Sequence, residues 1–260
     1  MIPNDIAAAW RSLFGLGVGV DIRWHSSVAS TMDIAASLAA KGAGHGVVVG
    51  ADEQTAGRGR RGASWASPRG AGLYFSFIAR PSCSKEGMVS ALPLLTLAAG
   101  VAVRSGVASA SGLVADLKWP NDLMIGRRKL AGILAEGFAI GSRDQAVVIG
   151  VGVNVQPAAF PPDVSARATS IEGELGRAIE RGGLFGAILG GLWTDLAALD
   201  RNPGDILQAW RAASPSATGT RVEWDRKHGT TAGIDDGGAL LVRTPDGMER
   251  IIAGELVWHL

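Results

Sequence analysis

Residues 114–136 read VADLKWPNDLMIGRRKLAGILAE, and the way this stretch divides decides the fold. Residues 114–118 predict a strand that Pro120 stops, because the proline ring fixes the backbone and removes a hydrogen-bond donor. Residues 123–125 and 129–136 predict a hairpin that turns at Gly126 and Arg127. Both alternating faces of residues 129–134 are apolar, which marks a strand buried inside a sheet.

Working outward, residues 145–155 give a further strand, in which Gly150, Gly152 and Asn154 fall at period two and share one face. Two missing side chains there leave a slot with an amide at its end, and crowding in a core explains the glycines equally well. Residues 156–170 carry three prolines and read as loop. Helices follow over 184–199 and 204–213. On the N-terminal side, helices are expected over 7–13, 32–40 and 87–108, the last mostly apolar and central. Strands are expected over 20–24, 47–51 and 73–78. Strands and helices alternate without a regular βαβ repeat, so an α+β fold with a mixed sheet fits better than a doubly wound one. After Pro215 the texture changes to short strand patterns separated by turn residues, a small all-β unit. The expected division is residues 1–215 and 216–260.

The chain has 260 residues, with 25 Lys and Arg against 24 Asp and Glu, a net charge of +1. That balance argues against a protein that coats nucleic acid. A hydrophobic share of 47% argues against disorder. The single cysteine, Cys83, cannot form an intrachain disulfide. The first 13 residues carry Asp5 and Arg11, so no signal peptide is expected. The apolar run at 88–103 contains Pro93 and falls short of the roughly 20 residues of a membrane span, which predicts a buried helix. A cytoplasmic protein is expected.

Residues 54–72 contain five glycines, four arginines and no acid. A loop this long is usually functional or disordered. Its run Gly57-Arg58-Gly59-Arg60-Arg61-Gly62 matches a dinucleotide fingerprint in letters only, since no helix follows and no acid stands about 20 residues on. Three arginines within four residues repel one another unless an anion neutralises them. Glycines let backbone N–H groups approach an anion closely, and guanidinium forks bind phosphate or carboxylate. An anion clamp, a solvated basic loop and an RNA-binding Arg-Gly segment all remain open on this evidence.

Lys118-Trp119-Pro120-Asn121-Asp122 sits at a strand end. Asn121 and Asp122 suit either a capped turn or a ligand contact, with Asp122 near a phosphate-bound Mg²⁺. Lys129 is either a snorkelling stem or a cation held for an anionic substrate. Gly132 weakens its strand, and such glycines often mark close approach of a ligand or backbone. Ser30 and Thr31 precede a helix, and Asp33 stands three residues after Ser30 at capping-box spacing. The four histidines are scattered and no pair has metal-ligand spacing.

Taken in order, Ser30-Thr31, the segment Gln54 to Gly62, Leu73-Tyr74-Phe75-Ser76, Lys118 to Asp122, Lys129 to Leu134 with Glu136, and Gly150-x-Gly152-x-Asn154 resemble the motifs of biotin protein ligases. The tail with Gly233-Ile234, Gly238, Leu240 and Gly254-Glu255 resembles their C-terminal SH3-like domain. The resemblance implies a catalytic domain of class II aminoacyl-tRNA synthetase and biotin/lipoyl ligase type. It also implies a two-step reaction, in which biotin and ATP give biotinyl-5′-AMP and the biotin then passes to a lysine of a biotin carboxyl carrier domain. By the same resemblance, Ser30, Thr31, Gln54, Arg58, Gly59, Arg60, Lys129 and Gly132 would bind biotin. Arg61, Trp65, Asn121, Lys129 and Asn154 would bind ATP, and Asp122 would contact Mg²⁺. Lys129, Arg58 and Arg60 would be the catalytic cations. Mg²⁺ would come with ATP, and no tightly bound cofactor is implied.

Two departures stand out. Met32 replaces an asparagine common in the family, and Ala63-Ser64 replaces basic residues of some members. About nineteen residues precede the first catalytic strand, so the expectation is a monofunctional ligase, monomer or homodimer, with no DNA or membrane partner. A lipoate ligase of the same fold is the runner-up.

Overall fold

The computed structural model describes residues 1–15, 17–80, 88–139, 145–157, 160, 162–252, 254 and 256–259. Of residues 88–90 and 162–163 it describes the backbone course alone. Cys83 lies outside these residues, as does Glu255.

The chain begins with α1 (Asn4–Gly15), β1 (Asp21–His25), α2 (Thr31–Ala40), β2 (Val47–Ala51), β3 (Gly72–Ala79) and α3 (Met88–Ser111). There follow β4 (Asp116–Lys118), β5 (Asp122–Ile125), β6 (Arg128–Phe138) and β7 (Ala146–Asn154). Four helices come next: α4 (Pro162–Ser165), α5 (Ile171–Leu175), α6 (Arg181–Leu199) and α7 (Pro203–Ala212). The chain closes with β8 (Thr218–Trp224), β9 (Lys227–Ile234), β10 (Leu240–Thr244), β11 (Gly247–Ile251) and β12 (Val257–His259).

Among the described residues, the first seven strands form one sheet in the order β1-β2-β3-β7-β6-β5-β4. The β1–β2 pair is parallel and the other pairs are antiparallel, so the sheet is mixed as expected. The last five strands form an antiparallel sheet in the order β11-β10-β9-β8-β12.

One face of the seven-stranded sheet carries the main core. Phe75, Phe77, Ile149, Val151, Val153 and Ile133 point into it with Ala98, Ala102 and Val103 of α3 and Phe185, Ile188 and Leu192 of α6. By length and composition α3 and α6 could cross a membrane, but here their apolar side chains pack on each other and on the sheet. The helices cross closely because glycine sits at the contact. A Cβ on Gly106 of α3 would stand 2.5–2.9 Å from Ile188 of α6, two of those atoms being backbone.

The other face is covered only in part. Helix α2 packs Met32, Ala35 and Ala39 on Val49, Ile78 and Val148 in a smaller cluster. Beyond α2 towards β5 the sheet is roofed by loop, and a cavity opens there.

Three local features differ from the sequence reading. Helix α5 is unexpected, because five residues are too few for a periodic pattern; Ser170 caps it by accepting from the Gly173 N–H. Residues 156–170 are not wholly loop, since α4 lies within them. The arginine–glycine loop contains one short 3₁₀ turn, Arg60–Gly62, with Arg61 in the left-handed region at φ 54°.

Candidate functional site

The cavity has a volume of about 620 Å³ and lies between the sheet face, the 54–72 loop and the edge of the C-terminal sheet. Its lining carries seven basic side chains, Arg58, Arg60, Arg61, Lys118, Arg127, Lys129 and Arg167, against the single acid Asp122. A chain with a net charge of +1 thus concentrates its positive charge at one place. Such a low-dielectric, single-sign cleft attracts anions.

Lys129 reaches this cavity because of a β-bulge. The β5–β6 register pairs Leu123 with Ala131 but Met124 with Lys129, so Leu130 is the extra residue. Strict alternation would put Lys129 on the face of Ala131 and Ile133, which is core. The bulge gives that face to Leu130, fully buried, and returns Lys129 to the face of Gly132. A Cβ on Gly132 would stand 3.1 Å from the Lys129 Cε. The ammonium pairs with Asp122 at 2.6 Å and lies 5.3 Å from the centre of a Trp65 ring. Backbone bonds hold the turn: the Lys129 N–H donates to the Arg167 carbonyl at 2.7 Å, and the Thr169 N–H to the Lys129 carbonyl at 3.0 Å.

The floor is glycine. Gly132 and Gly152 are partners across β6 and β7. A Cβ on Gly152 would come 2.5 Å from the Trp65 ring, and one on Gly150 2.7 Å from the Met32 sulfur. The slot expected above Gly150 and Gly152 is therefore filled by Met32 and Trp65. The Trp65 indole N–H is buried there without a hydrogen-bond partner among the described residues.

At the far end, the Thr31 N–H and hydroxyl both donate to Gln54 Oε1, at 2.9 and 3.1 Å. The Thr31 and Ser76 hydroxyls lie 2.8 Å apart, and Gln54 Nε2 donates to Ser67 at 2.8 Å. The capping box expected at Ser30 and Asp33 is absent. Ser30 is the N-cap by backbone, but its side chain makes no cap bond. Its hydroxyl is buried without a hydrogen-bond partner among the described residues, and Asp33 is taken by Arg58 at 2.9 Å.

The arginines divide. Arg58 donates to Asp33 and, at 2.7 Å, to Glu136; burial disfavours its charge, but the two acids outweigh that and raise its pKa above the ordinary value. Arg60 turns inward and donates to Asn121 Oδ1 at 3.4 Å. Burial pushes its pKa down, Asp122 opposes and Arg61 adds to the fall. Arg61 stands exposed at the rim, where it also lines a second groove against the β8–β9 hairpin.

The two asparagines hold backbone. Asn121 Nδ2 donates to the Ile133 carbonyl at 2.7 Å, and Asn154 Nδ2 to the Thr169 carbonyl at 2.9 Å. They fix the strand ends that carry Asp122 and Lys129. Among the described residues no group of three His, Cys, Asp or Glu could hold a metal ion by itself.

Lys118 opens the motif that runs to Asp122 but received no role of its own, and sequence reasoning passed over Arg127, Phe160, Arg167, Leu256 and Trp258 as site residues; all six line the cavity. Lys118 lies 5.4 Å from a Trp258 ring centre. Burial lowers its pKa, Asp122 opposes and Lys129 adds to the fall. No local signal marks the other five as site residues, because they converge from three separate parts of the chain.

Comparison with known proteins adds the following. Residues 24–154 match the model of the biotin/lipoate A/B protein ligase family, and residues 221–257 that of the biotin protein ligase C-terminal domain. The bifunctional ligase/repressor BirA of Bacillus subtilis is 36% identical over 92% of this chain and 74% of its own length. The biotin–[acetyl-CoA-carboxylase] ligase of Paracoccus denitrificans is 35% identical over 79% and 88%. In structure, the chain resembles the biotin protein ligase of Aquifex aeolicus in complex with biotin and ATP, with a TM-score of 0.77 and 26% identity over 92% of this chain and 98% of that one. It also resembles the Leishmania major enzyme in complex with biotinyl-5-AMP, with a TM-score of 0.61 and 27% identity over 90% and 99%.

Proposed function

The chain belongs to the biotin/lipoate A/B protein ligase family, and on that premise we propose that it activates biotin with ATP and transfers it to a lysine of a biotin carboxyl carrier domain. The observation that carries the reading is the cavity, with seven cations against one acid and Lys129 turned into it by a bulge. In the first step a biotin carboxylate oxygen attacks the α-phosphorus, and the bond from that phosphorus to the bridging oxygen breaks. Biotinyl-5′-AMP and pyrophosphate result. Two anions must meet, so the reaction needs fixed positive charge where negative charge concentrates and no protein nucleophile. Lys129 and Arg60 supply it at the floor and roof. In the second step the acceptor amine attacks the acyl carbon, AMP leaves with the C–O electrons, and the amine loses a proton as the amide forms.

Several side-chain roles support this reading. The buried hydroxyl of Ser30, with Thr31 and Gln54, offers polar contacts at the biotin end. Gly59 lets the Ala63 carbonyl approach, and Gly132 leaves room for the Lys129 and Trp65 side chains. Trp65 with its unpaired N–H, Arg61, Asn121 and Asn154 surround the nucleotide end. Residues 1–215 would form the catalytic unit and 216–260 a second unit that closes one wall. Asp122 fits a Mg²⁺ carried in by ATP, since Mg²⁺ keeps several waters and needs one or two carboxylates beside the phosphates. When bound it would neutralise phosphate charge. The acceptor would be a biotin-dependent carboxylase, of the kind in the names of the Paracoccus and Mycobacterium tuberculosis relatives. The reading places this work in the cytoplasm and assigns no DNA-reading role.

The test is pyrophosphate release that requires both biotin and ATP, with a matching mass increase on a carrier domain. Release independent of biotin, or greater with lipoate, overturns the reading. Lys129→Ala should lower the rate of adenylate formation by about 10²–10³-fold, the usual effect of losing one preorganised charge.

A further inference from the structure

The arginine loop places its charges in two directions. Arg60 and Trp65 point into the cavity, while both terminal nitrogens of Arg58 are spent on acids outside it. Those acids belong to different elements. Asp33 lies in the first turn of α2 and Glu136 on β6. One guanidinium therefore ties the loop to two walls of the cavity at once, at 2.9 and 2.7 Å. The ties bear on a rigid unit. The Gly59 N–H donates to the Ala63 carbonyl at 2.7 Å, and the Trp65 N–H to the Gly57 carbonyl at 2.9 Å. Whatever holds Arg58 also holds Arg60 and Trp65.

We propose that Asp33, Arg58 and Glu136 form a latch that keeps the loop shut over the activated intermediate, so that Asp33 and Glu136 are positioning residues that set how long it is retained. The proposal rests on the ligase reading for what the loop encloses. The chemistry calls for such a device, because a mixed anhydride hydrolyses in water and must wait for the acceptor lysine. The three side chains are between 30% and 58% exposed, so each tie is weak enough to open in turnover. Neither acid lines the cavity.

The experiment compares the wild-type chain with Asp33→Asn, Glu136→Gln and the double variant. Enzyme is loaded with biotin and MgATP, freed of excess substrate, and the release of biotinyl-5′-AMP is followed without acceptor. Release should accelerate about two- to fivefold in each single variant and about tenfold in the double variant, the scale of exposed ion pairs. Adenylate formation at saturating substrate and the Tm should stay near wild type. Salt near 1 M, where the Debye length falls to about 3 Å, should speed wild-type release more than that of the double variant. A double variant that releases at the wild-type rate overturns the latch. A second measurement needs no activity: trypsin should cut the double variant faster than wild type within residues 54–72, and equal cutting overturns the latch even if the ligase reading has failed.

Discussion

Ser30 separates a structural role from a binding one at a single residue. Its hydroxyl is 1% exposed at the residue level and bonds to nothing among the described residues. A capping hydroxyl replaced by alanine costs about 0.5–2 kcal/mol. No cap bond exists here to lose, so Ser30→Ala should leave the melting temperature within about 2 °C of wild type while weakening biotin binding several-fold, a loss on the order of one hydrogen bond. Thermal melts beside a biotin titration check both parts, and a large drop in Tm with unchanged affinity contradicts the expectation. The serine was legible in the sequence, but the absence of its cap bond was not. Capping-box spacing is a local pattern, and Asp33 was drawn away by an arginine 25 residues on.

At the scale of elements, the close crossing of α3 and α6 is what lets the sheet bury its full inner face. Replacing Gly106 by alanine would set a Cβ 2.5 Å from Ile188 Cγ1, 2.8 Å from its nitrogen and 2.9 Å from its Cα. Backbone cannot swing aside as a side-chain tip can, so the helices must separate. Gly106→Ala should destabilise the fold by about 1–3 kcal/mol, and urea denaturation should show it as a lower midpoint at unchanged slope. Most elements could be read from pattern, including the hairpin at Gly126 and Arg127 and the strand at 47–51, whose bounds agree with β2. Short pieces without a period, such as α5, could not. Nor could the bulge at Leu130, because a bulge changes which face a residue takes without changing the residues themselves.

At the scale of the molecule, the C-terminal sheet is fastened to the first one through the site itself. The Trp119 indole N–H donates to the Gly238 carbonyl at 3.1 Å, with Trp119 only 2% exposed. Arg211 of α7 donates to the Ile234 carbonyl at 3.0 Å, and the Leu117 N–H to the Ala213 carbonyl at 2.7 Å. Trp119 adjoins Lys118 and lines the cavity from the same wall, so this fastening also shapes the site. Trp119→Phe keeps the apolar ring but strands the Gly238 carbonyl. It should lower stability by about 1–3 kcal/mol, the cost of an unsatisfied buried group, and hydrogen exchange should show the added opening first in residues 218–259. Protection unchanged there would show that the indole bond does not fasten the two units.

Composition and motif spacing by themselves determined a mixed α+β fold with a β appendage, a long acid-free arginine–glycine loop at 54–72, and the ordered motifs whose resemblance points to the biotin protein ligase family. These are short-range facts. Turn residues, strand alternation and a run of like charges each express themselves within a few residues. Only the tertiary structure decided which way the charges point. Lys129 faces the cavity because one residue is extruded from a strand, and Arg58, at the cavity wall, has both terminal nitrogens drawn to acids of α2 and β6 that do not line it. Lys118 and Trp258 meet because a separate sheet docks beside Trp119. Orientation depends on partners far along the chain, and a linear pattern carries no record of which partner wins.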